Sequence, residues 1–165
     1  MTQICYPIYA CLEEIALTTD NFMRFALLEA EAAMEKGEIP VGCVIVKDKT
    51  IIAKAHNLRE SEGQAASHAE MLAISKACGV VGDWRLDGCD IYVTMEPCPM
   101  CAGAIIQSRI KNVYFGCYDK KSGALGSVAD ISTYLWTHRP SVFGGIMEDE
   151  CSFMLKSFFS KIRNE

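Results

Sequence analysis

A long apolar run is the first thing this 165-residue chain lacks. A membrane-spanning helix needs roughly 20 mostly apolar residues in succession, and the early candidate, residues 4–12, is broken by Pro7. No basic segment precedes it, so neither a membrane span nor an export signal is expected. Repeats, low-complexity tracts and long linkers are missing too, which excludes solenoids and tandem modules. Basic charge is not in excess: 16 Lys and Arg stand against 21 Asp and Glu, a net charge of −5. The bulk basic surface of many nucleic-acid binders is therefore absent. That deficit is local. Residues 1–38 carry seven acids and two bases, whereas the rest of the chain has fourteen of each. Basic rims around Arg109, Lys111, Lys120 and Lys121, or at Lys156, Lys161 and Arg163, stay open.

What the chain has is apolar mass. Half of its residues are hydrophobic, 22% are charged and the mean hydropathy is +0.13, values that exclude a disordered or collagen-like polymer. A chain of this size buries roughly 70% of its surface on folding, enough for one domain without staples. The nine cysteines are odd in number and scattered. With no leader expected, they read as free thiols or metal ligands in a reducing cytoplasm rather than as a disulfide framework.

The pattern predicts a helix opening at Thr19 or Asp20 and running to Gly37, with Phe22, Phe25, Ala26, Leu28, Ala32 and Ala33 as its apolar stripe. Residues 41–46 and 51–57 read as a hairpin. After a loop, a helix opens at Ser67, with Met71, Leu72, Ile74 and Ala77 inward and Gly79 past its end. Residues 90–95 read as a strand, 99–107 as a helix with Met100, Ala104 and Ile105 inward, 113–117 and 142–146 as strands, and 149–162 as an amphipathic helix. This alternation predicts an α/β sandwich around a mixed sheet. Residues 1–18 read as a peripheral extension and residues 19–165 as the single domain.

Two short motifs carry the chemistry: His68-Ala69-Glu70, opening one predicted helix, and Pro97-Cys98-Pro99-Met100-Cys101, opening the next. Cys98 and Cys101 are three apart and share the face of a first helical turn, where the helix N-terminus favours thiolates. One imidazole and two thiolates suit tetrahedral zinc with a fourth position left for water. Zinc lowers the pKa of bound water from about 15.7 to about 7, and Glu70, two places after His68, is placed to move protons without ligating the metal. A redox Cys-x-x-Cys pair is one competing reading. A closed structural site would need a fourth ligand, with Cys89 or Cys117 nearest, though both fall at strand positions that suit core thiols.

The chain resembles the bacterial tRNA-specific adenosine deaminases of the cytidine deaminase superfamily. Beyond the two motifs, the resemblance rests on Gly37-Glu38-Ile39-Pro40-Val41-Gly42, His56-Asn57-Leu58-Arg59-Glu60, Ser108-Arg109-Ile110, the run from Asp119 to Ala124 with Gly126-Ser127, and Phe158-Phe159. It implies a three-layer α/β/α sandwich with a mixed five-stranded sheet of the cytidine deaminase type. It also implies a homodimer with one zinc per subunit, and hydrolytic deamination of adenosine to inosine at the wobble position of a tRNA anticodon. In this view His68, Cys98 and Cys101 bind zinc, hydroxide supplied there attacks C6, and Glu70 shuttles protons. Asn57 hydrogen-bonds the purine and Asp119 contacts a neighbouring ribose. Phe158, Phe159 or both line the path of the anticodon loop, and Lys120 meets phosphate. One departure is Gln64-Ala65-Ala66-Ser67, where relatives carry Asp-Ala-Thr or Asp-Pro-Thr before the zinc histidine. A free-nucleobase deaminase of the guanine deaminase kind is the alternative on the same fold, since those relatives share Glu-Pro-Cys-Pro-Met-Cys. A non-catalytic zinc-stabilised binding module would require a closed metal shell.

Overall fold

A computed structural model describes residues 18–163. The N-terminal extension read from the sequence lies outside the described residues except for Thr18, which caps the first helix. α1 spans Thr19–Glu35, and the Thr18 hydroxyl, rather than Thr19 or Asp20, accepts the Asn21 amide at 3.4 Å. The buried stripe of α1 is Phe22, Met23, Ala26, Ala30 and Ala33. Phe25 and Leu28, expected on that stripe, are exposed, because the helix rests on small residues that let it approach the sheet closely. Gly42 shows how closely: a Cβ there would stand 2.0 Å from the Ala26 carbonyl oxygen.

β1 (Gly42–Lys47) and β2 (Thr50–His56) form the expected hairpin. Asp48 and Lys49 turn it with φ of +48° and +63°, the left-handed pair that matches strand twist in two-residue hairpins. The following loop holds a short helix, α2 (Arg59–Glu62), which the sequence pattern does not announce. α3 (Ala69–Val81) runs through Gly79 and ends at Gly82, whose φ of +76° makes it the cap. Its buried face consists of Ala69, Glu70, Ala73 and Ala77, with the larger Met71, Leu72 and Ile74 only half-buried beside it.

β3 (Asp90–Met95), α4 (Pro99–Gln107), β4 (Asn112–Cys117), β5 (Ser141–Phe143) and α5 (Glu148–Arg163) complete the chain. β5 has three residues where the reading of 142–146 gave it five, and Met100 on α4 faces outward. The strand order is β2-β1-β3-β4-β5, antiparallel on the hairpin side and parallel across β3, β4 and β5. Period-two alternation splits the core. Ile45, Ile91, Val93, Val113 and Phe115 pack with α3 and α4 on one face, and Val44, Val46 and Tyr92 pack with α1 and α5 on the other. The three-layer mixed five-stranded sandwich is therefore observed. Tyr92, Tyr114 and Phe143, partners in register on successive strands, stack at 4.6 and 5.0 Å, which binds the parallel strands on the α1 side. Among the described residues no helix is long and apolar enough to cross a membrane.

Candidate active site

Parallel strands leave a crevice beyond their carboxyl ends, where helices start. β3 runs out through Glu96 and Pro97 into α4, with Cys98 as its N-cap and Pro99 in its first turn. His68 is the N-cap of α3, so both sequence motifs arrive at the same edge. His68 Nδ1 lies 3.7 Å from Cys98 Sγ and 3.5 Å from Cys101 Sγ. A tetrahedral zinc ion, with bonds near 2.05 Å to nitrogen and 2.3 Å to sulfur, separates such ligands by about 3.6 Å. His68, Cys98 and Cys101 are the one group of three potential ligands among the described residues, all within 4.8 Å of one another. The residues fit the ion, and they leave room for a non-protein ligand. Cys89 and Cys117 are buried free thiols outside the group, and Cys117 donates to the Thr94 carbonyl.

The electrostatics suit a cation. The Cys98 thiol is pulled down to about 4, first by a hydrogen bond from Cys101 and then, against the cost of burial, by His68. Cys101 is pushed strongly up by that same bond to Cys98, then by burial and by Glu70. The pair thus keeps one proton between two sulfurs, which metal binding releases. His68 is raised, chiefly by its contact with Cys98. Glu70 is buried on the second position of α3, and burial lifts its carboxyl to about 6, with the neighbouring Cys98 adding to the rise and the His68 charge opposing it. That value suits a group that takes and gives protons near neutral pH.

A cavity of about 210 Å³ opens on this cluster, lined by His68, Cys98 and Glu70 on one side and by Asn57, Asp119 and Phe159 on the other. It is smaller than the roughly 300–1,000 Å³ of drug-sized sites. Asn57, at the end of β2, is buried, with its backbone tied to the Val41 carbonyl. Asp119 is no solvated turn: its carboxylate accepts the Lys121 amide at 2.9 Å and the Ser122 hydroxyl. Phe159 is 44% exposed on the cavity wall, whereas Phe158 is 7% exposed and packs edge-on against it at 5.4 Å, off that wall. Lys120 is exposed and stands outside the cavity lining. His56, next to Asn57, points the other way, held between Glu29 and Lys36 at 2.9 Å each.

Two carboxylates escaped the sequence reading. Glu96, buried beside Pro97, accepts the amides of Asp119, Leu125 and Ser127 and the Ser127 hydroxyl, and so ties the 119–127 loop to the cavity floor. Gly123 is needed there, because a Cβ would stand 2.4 Å from that carboxyl group. Glu38 does the same for the 57–61 segment. In both, an acid one or two places before a proline was the available signal.

Residues 17–117 match the family model for the cytidine and deoxycytidylate deaminase zinc-binding region. The chain is 47% identical over 151 residues to a tRNA-specific adenosine deaminase of Bacillus subtilis (strain 168), covering 90% of this chain and 94% of that protein. The chain belongs to the tRNA-specific adenosine deaminase family. Among solved structures, a tRNA:A34 deaminase superposes with a TM-score of 0.79 at 41% identity, over 81% of this chain and 98% of that one. A guanine deaminase from Bacillus subtilis superposes at 0.60 with 32% identity, over 90% and 95%. Membership accounts for the triad, since the family's shared region is described as zinc-binding.

Proposed function

We propose that this chain deaminates adenosine to inosine at the wobble position of a tRNA anticodon, working in the cytoplasm as a homodimer with one zinc per subunit. The observation that carries this reading is the cavity itself, where a three-ligand metal site and a buried acid with its carboxyl near 6 face Asn57, Asp119 and Phe159. The relatives' substrate supports it. An unpaired anticodon base splays out at little cost and enters as a single planar group.

His68, Cys98 and Cys101 hold the zinc, which when bound acidifies a water so that hydroxide is available near neutral pH. Glu70 does the proton work. It takes the proton released as water adds to C6 and hands it to N1, then takes the proton of the new C6 hydroxyl and passes it to the 6-amino group, which leaves as ammonia as C6 becomes the inosine carbonyl. Asn57 orients the purine edge, and Asp119 holds a neighbouring ribose. Phe159, with Phe158 behind it, stacks on an adjacent base, and Lys120 meets phosphate at the rim. The catalytic domain is assigned to the chain from residue 19 onward.

The test is incubation of the zinc-loaded protein with an anticodon stem-loop carrying adenosine at the wobble position. Inosine and an equimolar amount of ammonia are expected. The likeness to a solved guanine deaminase supports a second reading, in which free guanine is the substrate. Ammonia from guanine and none from the stem-loop would replace the first reading with the second.

A further inference from the structure

Glu38 follows α1 in the Gly37-Glu38-Ile39-Pro40 turn and is fully buried, yet it is neither a metal ligand nor on the cavity wall. Its Oε1 accepts the Ser61 amide at 2.6 Å, and its Oε2 accepts the Glu60 amide at 3.2 Å and Asn57 Nδ2 at 3.1 Å. Two of these donors open α2, whose own cap residue Leu58 makes no side-chain hydrogen bond. The third is the side chain of the residue assigned to the purine. A carboxylate only accepts, so the Asn57 amide must turn its nitrogen to Glu38. Its oxygen is then left over. Oδ1 has no partner among the described residues, and none of their side-chain nitrogens or oxygens is both sealed from solvent and unpaired. Asn57 lines the cavity, so the cavity is where Oδ1 is open.

We propose that Glu38 is a positioning residue that fixes the flip of the Asn57 carboxamide, so that the cavity is presented with an acceptor. An asparagine amide left alone offers either end at equal cost, and half of its population would face the base with the wrong group. Locked by Glu38, it offers oxygen to a hydrogen-bond donor. The 6-amino edge of adenine is such a donor. The inference deepens the proposed reaction and rests on it for its kinetic readout.

The experiment exchanges the two groups. Asn57→Asp alone sets two acceptors against each other and should lower kcat/KM on the anticodon stem-loop by about tenfold or more. Adding Glu38→Gln supplies a donor to the introduced carboxylate and frees its second oxygen for the cavity; because the same nitrogen then meets the Glu60 amide, kcat/KM should recover in part, by about threefold or more and mainly through KM. In the wild-type background the same Glu38→Gln change should lower kcat/KM. This reversal of sign is what a mere structural brace would not give. If Glu38→Gln lowers activity in both backgrounds while thermal melts show all variants folded, the proposal is overturned.

A second measurement needs no variant and no turnover. In the zinc-loaded wild type, one of the two Nδ2 protons of Asn57 should exchange with solvent at least about tenfold more slowly than a free asparagine amide, read by nitrogen-15 NMR. Free exchange of both protons overturns the assignment even if the enzyme is active. Protected exchange in a protein that leaves the stem-loop untouched upholds the positioning and fails the substrate.

Discussion

Glu70 lines the same cavity as His68 and Cys98, and the proposed reaction gives it a duty separable from theirs. In the proposed reaction Glu70 moves protons and does not hold the ion, so Glu70→Gln should keep about one zinc per chain by elemental analysis while kcat falls by about 10²- to 10⁴-fold. Loss of zinc together with activity would make Glu70 a structural member of the site. Glu38 gives a prediction of another kind. Burial pushes its carboxyl up, but the amides of Ser61 and Glu60 outweigh this, and the net value lies below the ordinary 4.5. A group whose folded value is depressed contributes stability that is complete above the unfolded value and is lost as pH falls through the folded one. The difference in melting temperature between wild type and Glu38→Gln should therefore be largest above pH 4.5 and shrink below it. A difference independent of pH between 3 and 6, roughly the range over which a carboxylate titrates, would show that the charge is not what matters. Of these residues, the metal triad and Glu70 were legible from spacing. Glu38 and Glu96 were not, since a buried acid is recognisable only by the backbone amides that the fold brings to it.

Among the elements, α5 shows how a sequence pair divides its labour. Neighbours on a helix point about 100° apart, and here Phe158 goes to the core while Phe159 goes to the cavity. Phe158→Ala should cost about 3 kcal/mol in urea unfolding. Phe159→Ala should leave stability nearly unchanged and raise KM for the stem-loop about tenfold, the loss of one stacked base. Equal effects of the two on stability would contradict this division. Most elements were readable from periodicity. In α1 and α4 large residues such as Phe25, Leu28 and Met100 were expected inward but are exposed, because α1 meets the sheet on Ala26, Ala30 and Ala33 below Phe22 and Met23, and α4 buries Cys101, Ala102, Ile105 and Ile106 instead. Hydrophobicity names a face only when the spacing between layers admits large side chains. α3 outran Gly79 because its capping glycine is Gly82, and α2 was invisible because its cap comes from Glu38, some twenty positions away in sequence.

At the scale of the molecule, the sheet is covered on both faces by two apolar clusters that contain none of the described metal-binding sulfurs or the imidazole. The rim of the cavity is likewise held by protein alone, through Glu96 on one side and Glu38 on the other. Removing zinc with a chelator should therefore abolish activity, and lower the stability by about 4 kcal/mol where the ion had been at a thousandfold its dissociation constant, with a corresponding fall in melting temperature. It should leave helical circular dichroism and a cooperative melt intact. A chain that unfolds on chelation, as zinc fingers do, would refute this.

The helix-capping placement of the ligands sets an order of assembly. His68 and Cys98 occupy the N-caps of two helices whose remaining turns are secured by the sheet, so the fold itself, and not the ion alone, aims both side chains at one point. In the proposed enzyme the ion would then be the last part added, and a chelated chain given zinc back should regain its activity without first being unfolded.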